Sequence, residues 1–339
     1  MILHPKASFA FAFVSAFILL VSVRPMHADA VGVGIDGVRT SSIAPYKIPF
    51  SSLDGAAFAD ADGKATSTST AQLLLNGLTN NGLVSITNLP NNFRETKMEL
   101  LSTLHDCLMS IEEDGGTTTT NVNVPTEHLL DGTIRRSFAT LTLPNDKKNG
   151  GEIGYEGAQP IHSLEKFLES STPESDKVSC LSFQHHLASF RATVDMVTTA
   201  FAQQLSLELE PYLPKPLLHS ATSSINYSDY LDFAHTVAGG EHLEHFHSYQ
   251  TQDVAGRSDN EETQTRTIEL HTDQGLFIAF TPGLLLPVSE VRDAAEQPLL
   301  LPALSKGLHI QDSNGKTFMV EFADEDDLVF MMGDGVNQV

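Results

Sequence analysis

The hydrophobic periodicity of the chain changes once, at three prolines between residues 211 and 216. Before them, apolar residues recur at steps of three and four and predict one long amphipathic helix. These residues are Phe183, Leu187, Phe190, Val194, Val197, Phe201 and Leu205. Proline cannot continue a helix, so the helix is predicted to end before Pro211. The apolar residues after Pro216 fall in short runs separated by turn signals, which predicts a mixed helical region over 31–216 and an antiparallel sandwich or barrel over 217–339.

Individual elements can be assigned on both sides of this boundary. In the first half, the leucines between residues 73 and 78 predict a helix, Leu83–Thr87 alternates as a strand, and apolar residues over 101–111 predict a second helix. The second half contains seven β-type runs, at 224–227, 245–249, 267–271, 276–280, 308–311, 318–322 and 328–332. Asn314-Gly315 predicts a hairpin turn because both residues tolerate positive φ. The polar segment 250–266 predicts an insert between two strands.

The first thirty residues predict a secretory signal peptide. Lys6 precedes an apolar stretch from Ala7 to Val23, and Ala28-Asp29-Ala30 has the small residues of a cleavage site. Cleavage after Ala30 would give a mature chain without stable membrane insertion, in the secretory pathway or outside the cell. An uncleaved anchor is the alternative, because the apolar stretch is near the lower limit of about 17 residues for a membrane span.

Composition limits the partners and the cross-links of the chain. Twenty Lys and Arg residues against 43 Asp and Glu give a net charge of -23, so electrostatic repulsion excludes nucleic acid as a natural partner. Cys107 and Cys180 are the only cysteines, which excludes a disulfide framework and a thiolate metal cage. An oxidising compartment would allow one bridge between them, and two buried free thiols are the alternative.

The residue pattern that indicates chemistry is His271-Thr272-Asp273, at the end of one predicted strand. Alternate residues of a strand share a face, so an imidazole and a carboxylate would project together from this motif. Two histidines and one carboxylate on one face of an octahedral Fe(II) are typical of non-haem iron oxygenases, because three positions then stay open for a cosubstrate and O2. His271 and Asp273 are therefore candidate metal ligands.

The longer segment 268–283 resembles the proximal motif of isopenicillin N synthase-like iron(II)- and 2-oxoglutarate-dependent dioxygenases. Other parts of the chain are similar to segments of that family, namely 48–50, 82–88, the helix over 181–210 and the run 327–334 that ends in Gly333-Asp334. The resemblance implies a double-stranded β-helix, or jelly roll, behind a helical N-terminal region. It also implies Fe(II) held by His271 and Asp273, 2-oxoglutarate as a cosubstrate contacted by Tyr249, and oxidation of a small organic substrate with O2.

The chain departs from the family pattern in its last part. The family has a second histidine after the Gly-Asp turn and then an arginine for 2-oxoglutarate, but only His309 follows Asp273 here, and no arginine follows Arg292. We therefore expect the jelly roll to be incomplete at the C terminus and the functional protein to be longer. His245 or His247 is the alternative source of a third ligand.

Two other function classes stay open at this stage. One is a non-catalytic secreted jelly-roll binding protein without iron chemistry. The other is a metal hydrolase that uses His245, His247 and Asp273, for which the sequence offers no nucleophile motif.

Overall fold

A computed structural model describes residues 14–22, 41–53, 67–114, 124–129, 132–142, 161–170, 172–209, 233–238, 242–250, 268, 270–273, 275–285, 301–302, 308–312, 314–322, 324 and 326–333. These residues form one large sheet, two small sheets and five α-helices. The large sheet contains, in spatial order, β3 (Tyr46–Pro49), β4 (Leu83–Thr87), β13 (Leu328–Met332), β8 (Phe277–Thr281), β1 (Val14–Ser22), β7 (His242–Gln250), β6 (Ile134–Thr142) and β5 (Thr126–His128). The small sheets contain β2 (Ser41–Ile43) with β11 (His309–Gln311) and β12 (Thr317–Val320), and β9 (Leu284–Leu285) with β10 (Leu301–Pro302).

The predicted long helix is α4, which spans Glu174–Leu209. It starts with Glu174 and Asp176 in its first turn, where acidic side chains interact favourably with the helix dipole. The other helices are α1 (Ser67–Asn81), α2 (Phe93–Asp114), α3 (His162–Glu169) and α5 (Phe233–Ala238). Helices α1 and α2 and strand β4 confirm the three elements predicted for the first half. No helix in these ranges has the length and the apolar content needed to cross a membrane.

Helix α4 spans the large sheet and covers two apolar clusters on one face. In its first half, the Phe183 ring lies 5.4 Å from the rings of Phe138 on β6 and Phe246 on β7. In its second half, the Phe201 ring stacks on Phe330 of β13 with the ring centroids 4.0 Å apart. The apolar stripe that predicted the helix is therefore the surface that attaches it to the sheet.

A disulfide joins Cys107 of α2 to Cys180 of α4 within the first cluster. Both residues are fully buried. The structure thus decides between the two alternatives left open by the sequence, in favour of one bridge.

Strand β8 shows why the sheet has apolar clusters on both faces. Phe277 and Ala279 face the helices, whereas Ile278 and Phe280 belong to a third cluster with Val320 of β12. This alternation is the normal two-residue period of a strand, and a strand buried on both faces is apolar throughout. The turn between β11 and β12 contains Gly315 at φ 79°, which confirms the predicted hairpin.

Part of the predicted signal peptide forms strand β1. β1 pairs in parallel with β7 on one side and with β8 on the other, with Ala16 opposite Glu244 and Val14 opposite Phe277. The apolar sequence VSAFILLVS suits a strand inside a sheet. Cleavage after Ala30 stays a prediction, because residue 30 lies outside the described residues.

The sheet-rich architecture with a helical first half agrees with the sequence analysis, but two expectations need correction. The short apolar runs predict antiparallel strands, whereas the large sheet is mixed, with parallel pairing of β1 with β7 and β8 and of β3 with β4. Over the described ranges it has edges at β3 and β5 and does not close into a barrel. The strands responsible for the parallel pairs come from the first fifty residues, where hydrophobic patterns do not specify a pairing partner.

Five of the seven runs predicted in the second half contain strands, one does not, and one lies outside the described residues. Residues 268, 270 and 271, from the run predicted at 267–271, lie outside any strand, and Leu270 is 48% exposed. Alternating apolar residues favour a strand only when one face can be buried, and the described residues of this segment are exposed. The run predicted at 224–227 and the predicted insert at 250–266 fall outside the described residues, apart from Gln250 at the end of β7.

Candidate functional site

His271 and Asp273 lie in the short segment that leads into β8. Gly275 follows them at φ 127°, a conformation that favours glycine, and β8 begins at Phe277. His271 Nε2 lies 3.5 Å from Asp273 Oδ1. The side chain of His271 is 58% exposed and that of Asp273 is 24% exposed. The structure therefore brings the imidazole and the carboxylate together where a solute can reach them, although no strand forms at this motif.

The environment of Asp273 favours a nearby positive charge. Burial raises the pKa of the Asp273 carboxyl above its ordinary value, while the charge and the hydrogen bond of His271 lower it in part. A raised carboxyl pKa means that the ionised form is poorly solvated. A divalent cation bound between the two side chains would supply the missing positive charge and keep the carboxylate ionised.

The geometry of the pair fits two adjacent positions on an octahedral metal ion. Two ligand atoms at about 2.1 Å from such an ion and at right angles to each other are roughly 3 Å apart. The 3.5 Å between His271 Nε2 and Asp273 Oδ1 is close to that value. No group of three His, Cys, Asp or Glu side chains that could hold a metal exists among the residues described. Among the described residues, His271 and Asp273 are thus a pair and not a complete three-residue metal site.

The end of β13 packs against the segment that carries Asp273. The Gly333 N–H donates a hydrogen bond of 3.0 Å to the carbonyl oxygen of Leu276. A Cβ atom on Gly333 would lie 2.4 Å from the Gly275 oxygen and 3.1 Å from the Asp273 oxygen. The sequence indicates a Gly-Asp turn at Gly333, but it does not predict the contact of Gly333 with the segment of His271, because these parts lie far apart along the chain. Asp334 itself lies outside the described residues.

His245, His247 and Tyr249 share one face of β7, as the period of a strand requires. The ring centroids of His245 and His247 are 5.3 Å apart, and those of His247 and Tyr249 are 5.9 Å apart. Burial lowers the pKa of His247 to about 3, and the charges of His245 and Arg135 add to this effect. Burial likewise lowers the pKa of His242, to about 4. These imidazoles are therefore neutral at physiological pH.

The strand registers separate these side chains from the His271 segment. Val14 of β1 lies opposite Phe277, the first residue of β8, whereas Val21 lies opposite Tyr249. The seven-residue step between Val14 and Val21 corresponds to about 23 Å along the strand, at about 3.3 Å per residue. The structure thus does not place Tyr249 beside the His271 segment, and its cosubstrate role stays a prediction.

The same registers bear on the alternative metal ligands. Phe17 of β1 lies opposite both His245 and Phe280, so His245 is level with the second half of β8. His271 and Asp273 precede the other end of that strand. His245 and His247 therefore do not join them in one site in this arrangement.

The opposite face of β7 is attached to the helices by polar contacts that the sequence analysis missed. Arg191 of α4 donates hydrogen bonds to both carboxylate oxygens of Glu244, and His105 Nδ1 lies 2.7 Å from the Ser248 hydroxyl oxygen. Such bidentate charge-assisted contacts fix geometry strongly. No local sequence pattern could have predicted them, because the partners are 53 and 143 residues apart.

A cavity of about 310 Å³ lies at the other end of β13. Three of its residues, Asn88, Asn91 and Asn92, have positive φ. Asp326 and Asp327 line its acidic side, and burial raises the pKa of both carboxyls. Strand β13 separates this cavity from the His271 segment, which contacts the Gly333 end.

Comparisons with known proteins find weakly similar solved structures. No protein-family model and no curated protein matches this chain. The full-length alpha-KG-dependent thymine hydroxylase of Neurospora crassa, solved in complex with alpha-KG and 5-formyluracil, is 15% identical at a TM-score of 0.43, and the match covers 85% of this chain and 71% of that chain. A C-terminally truncated form of the same Neurospora crassa enzyme, solved in apo form, is 14% identical at a TM-score of 0.43, with 87% and 83% covered.

Proposed function

We propose that the chain is an Fe(II)- and 2-oxoglutarate-dependent oxygenase of the isopenicillin N synthase-like kind that acts on a small organic substrate. The observation that carries the proposal is the pair formed by His271 Nε2 and Asp273 Oδ1, 3.5 Å apart at the entrance to β8. In the sequence this pair lies in the segment that resembles the proximal motif of that family. A jelly-roll core over 217–339 behind a mixed region over 31–216 is part of the same proposal.

In this proposal His271 and Asp273 would hold the iron. His271 would bind through Nε2 and Asp273 through a carboxylate oxygen. Burial raises the pKa of the Asp273 carboxyl, and a bound cation would favour its ionised form. Bound iron and 2-oxoglutarate would supply the oxidising chemistry. The exposure of His271 would leave a bound metal accessible to a small cosubstrate. Tyr249 is proposed as a cosubstrate contact from the family resemblance alone.

We also propose that the protein enters the secretory pathway. The buried bridge between Cys107 and Cys180 supports this, because disulfides form and persist mainly in oxidising compartments. The sequence of the first thirty residues supports it independently.

The decisive experiment measures metal binding and turnover together. Binding of Mn(II), a redox-stable substitute for Fe(II), is followed by calorimetry, and succinate formation from 2-oxoglutarate is followed with Fe(II) and O2. We expect His271→Ala and Asp273→Ala each to weaken Mn(II) binding by at least about tenfold, since each removes a direct ligand. His309→Ala is the matched control, because His309 is an exposed histidine on β11 and should leave binding unchanged.

Two results would contradict the proposal. Mn(II) affinity that does not depend on His271 or Asp273 would move the metal site elsewhere. A wild-type chain that binds neither Mn(II) nor 2-oxoglutarate would favour the non-catalytic binding protein instead.

A further inference from the structure

The end of β13 is held between two other parts of the chain. The Gly333 N–H donates to the Leu276 carbonyl oxygen at 3.0 Å, and the Met332 N–H donates to the Gly82 carbonyl oxygen at 2.9 Å. Gly82 directly precedes β4, and Leu276 directly precedes β8. The position of Gly333 is therefore fixed relative to the sheet, and the segment in front of β8 rests against it.

No side chain fits at Gly333. The atoms that a Cβ would meet are backbone atoms of Gly275 and Asp273, at 2.4 Å and 3.1 Å, and backbone atoms cannot rotate away as the tip of a flexible side chain can. Carbon and oxygen atoms in ordinary contact are about 3.5 Å apart. An alanine at this position would therefore push the 273–275 segment away by roughly an ångström.

We propose that Gly333 is a positioning residue for the metal-binding pair. Because Gly333 has no side chain, the end of β13 can contact the backbone of Asp273 and Gly275 and orient the Asp273 side chain towards His271. This inference rests on the proposed function of that pair. The described residues Asp273 and Gly275 lie outside the strands, and the backbone contact with Gly333 and the hydrogen bond from Gly333 to Leu276 connect this part of the chain to β13. Metal affinity depends on ligands held in place before the metal arrives, and loss of supporting contacts typically weakens it by about 10- to 100-fold.

Gly77 offers a matched control in α1. A Cβ on Gly77 would lie 2.3 Å from the Val84 Cγ1 atom and 3.2 Å from the Tyr46 Cβ atom, so an added methyl group meets an equally short contact there, although with side-chain atoms. Val84 belongs to β4, which β13 separates from β8. Gly77→Ala should therefore strain the fold without displacing Asp273.

The experiment compares Gly333→Ala and Gly77→Ala with the wild-type chain. Mn(II) affinity is measured by calorimetry, folding by far-ultraviolet circular dichroism, and the metal-free pair by the carbon-13 chemical shifts of the His271 ring and the Asp273 carboxyl at constant pH. We expect Gly333→Ala to fold, to bind Mn(II) about 10- to 100-fold more weakly and to move both sets of signals. Gly77→Ala should keep the wild-type signals and an affinity within about twofold of wild type, because its conflict does not touch the ligands.

Each outcome decides the inference. Wild-type affinity and unmoved signals in Gly333→Ala would overturn it. Unfolding of Gly333→Ala while Gly77→Ala folds would also overturn it, because the contact would then support the whole fold. If the wild-type chain binds no Mn(II), the proposed function fails, and the metal-free signals alone decide whether Gly333 positions the pair.

Discussion

Removal of the bridge between Cys107 and Cys180 should destabilise the chain by an amount that follows from its position in the sequence. The bridge closes a loop with a sequence separation of 73 residues. The chain-entropy relation for a loop of that size gives a loss of about 15 cal/mol/K, or about 4.5 kcal/mol at 25 °C. The double variant Cys107→Ala/Cys180→Ala should therefore unfold at a much lower urea concentration than the oxidised wild-type chain.

The single variants separate cross-linking from packing. Either Cys107→Ala or Cys180→Ala alone removes the whole cross-link, so the entropic loss should be the same in both single variants and in the double variant. Packing losses would instead add from one variant to the next, because both residues are fully buried in the cluster between α2 and α4. We expect the singles and the double to lie within about 1 kcal/mol of each other, and all of them well below the wild type.

The assay is urea denaturation followed by circular dichroism, with thiol titration of the denatured wild-type chain as the control. The m-value should rise in the variants, because an unfolded chain without the bridge exposes more surface. Two free thiols per denatured wild-type chain would show that no bridge forms. A double variant within about 1 kcal/mol of the oxidised wild type would refute the entropic reasoning.

Two further predictions concern stability. Burial lowers the pKa of His242 to about 4 and that of His247 to about 3. Below pH 6.5 these two histidines therefore bind protons in the unfolded state but not in the folded state. Their contribution to the free energy of unfolding falls as the pH drops from about 6.5 towards 3. Burial raises the pKa of Asp195 to about 6, and it also raises the pKa values of the Asp273, Asp326 and Asp327 carboxyls, so these four groups oppose the histidine trend at acidic pH. The histidine contribution is therefore obtained by comparison: thermal unfolding at a series of pH values should show a smaller loss of stability on acidification in His247→Gln than in the wild-type chain. Phe201→Ala should cost about 3–5 kcal/mol in urea unfolding, because Phe201 is fully buried and its ring stacks on β13, whereas an effect below about 1 kcal/mol would mean that α4 does not pack there.

The elements predicted correctly from the sequence are those whose signal is local. Helix α4 follows from a periodic stripe, β4 and β8 from short apolar runs, and the β11–β12 hairpin from Asn314-Gly315. Each depends on residues within a few positions of one another, where propensity and periodicity act directly. The 267–271 run also has a strand-like pattern, yet its described residues 268, 270 and 271 lie outside the strands. Local alternation does not reveal whether another element will cover one face of such a run.

Contacts between distant parts of the chain could not be predicted in this way. The pairing of β4 with β13 joins residues more than 240 positions apart, and the partner of an apolar strand is not encoded in its own pattern. At the candidate site, too, a local contact could be predicted and a long-range contact could not. The pairing of His271 with Asp273 follows from a three-residue motif, whereas the contact of Gly333 with the Asp273 segment depends on the register of β13 against β8.

The apolar segment at 14–22 suits both a central strand and the core of a signal peptide, and one molecule cannot keep it as a strand and lose it by cleavage. As β1 it supplies backbone partners for seven residues of β7 and five residues of β8. As the core of a signal peptide it would be removed by cleavage after Ala30. A chain cut there has no β1, so β7 and β8 would face each other across a one-strand gap with unpaired backbone groups, which is unfavourable in the middle of a sheet. Cleavage would therefore require β7 and β8 to find other partners. Since the segment of His271 and Asp273 leads directly into β8, processing at the N terminus would change the neighbour of the strand on which the candidate metal pair depends.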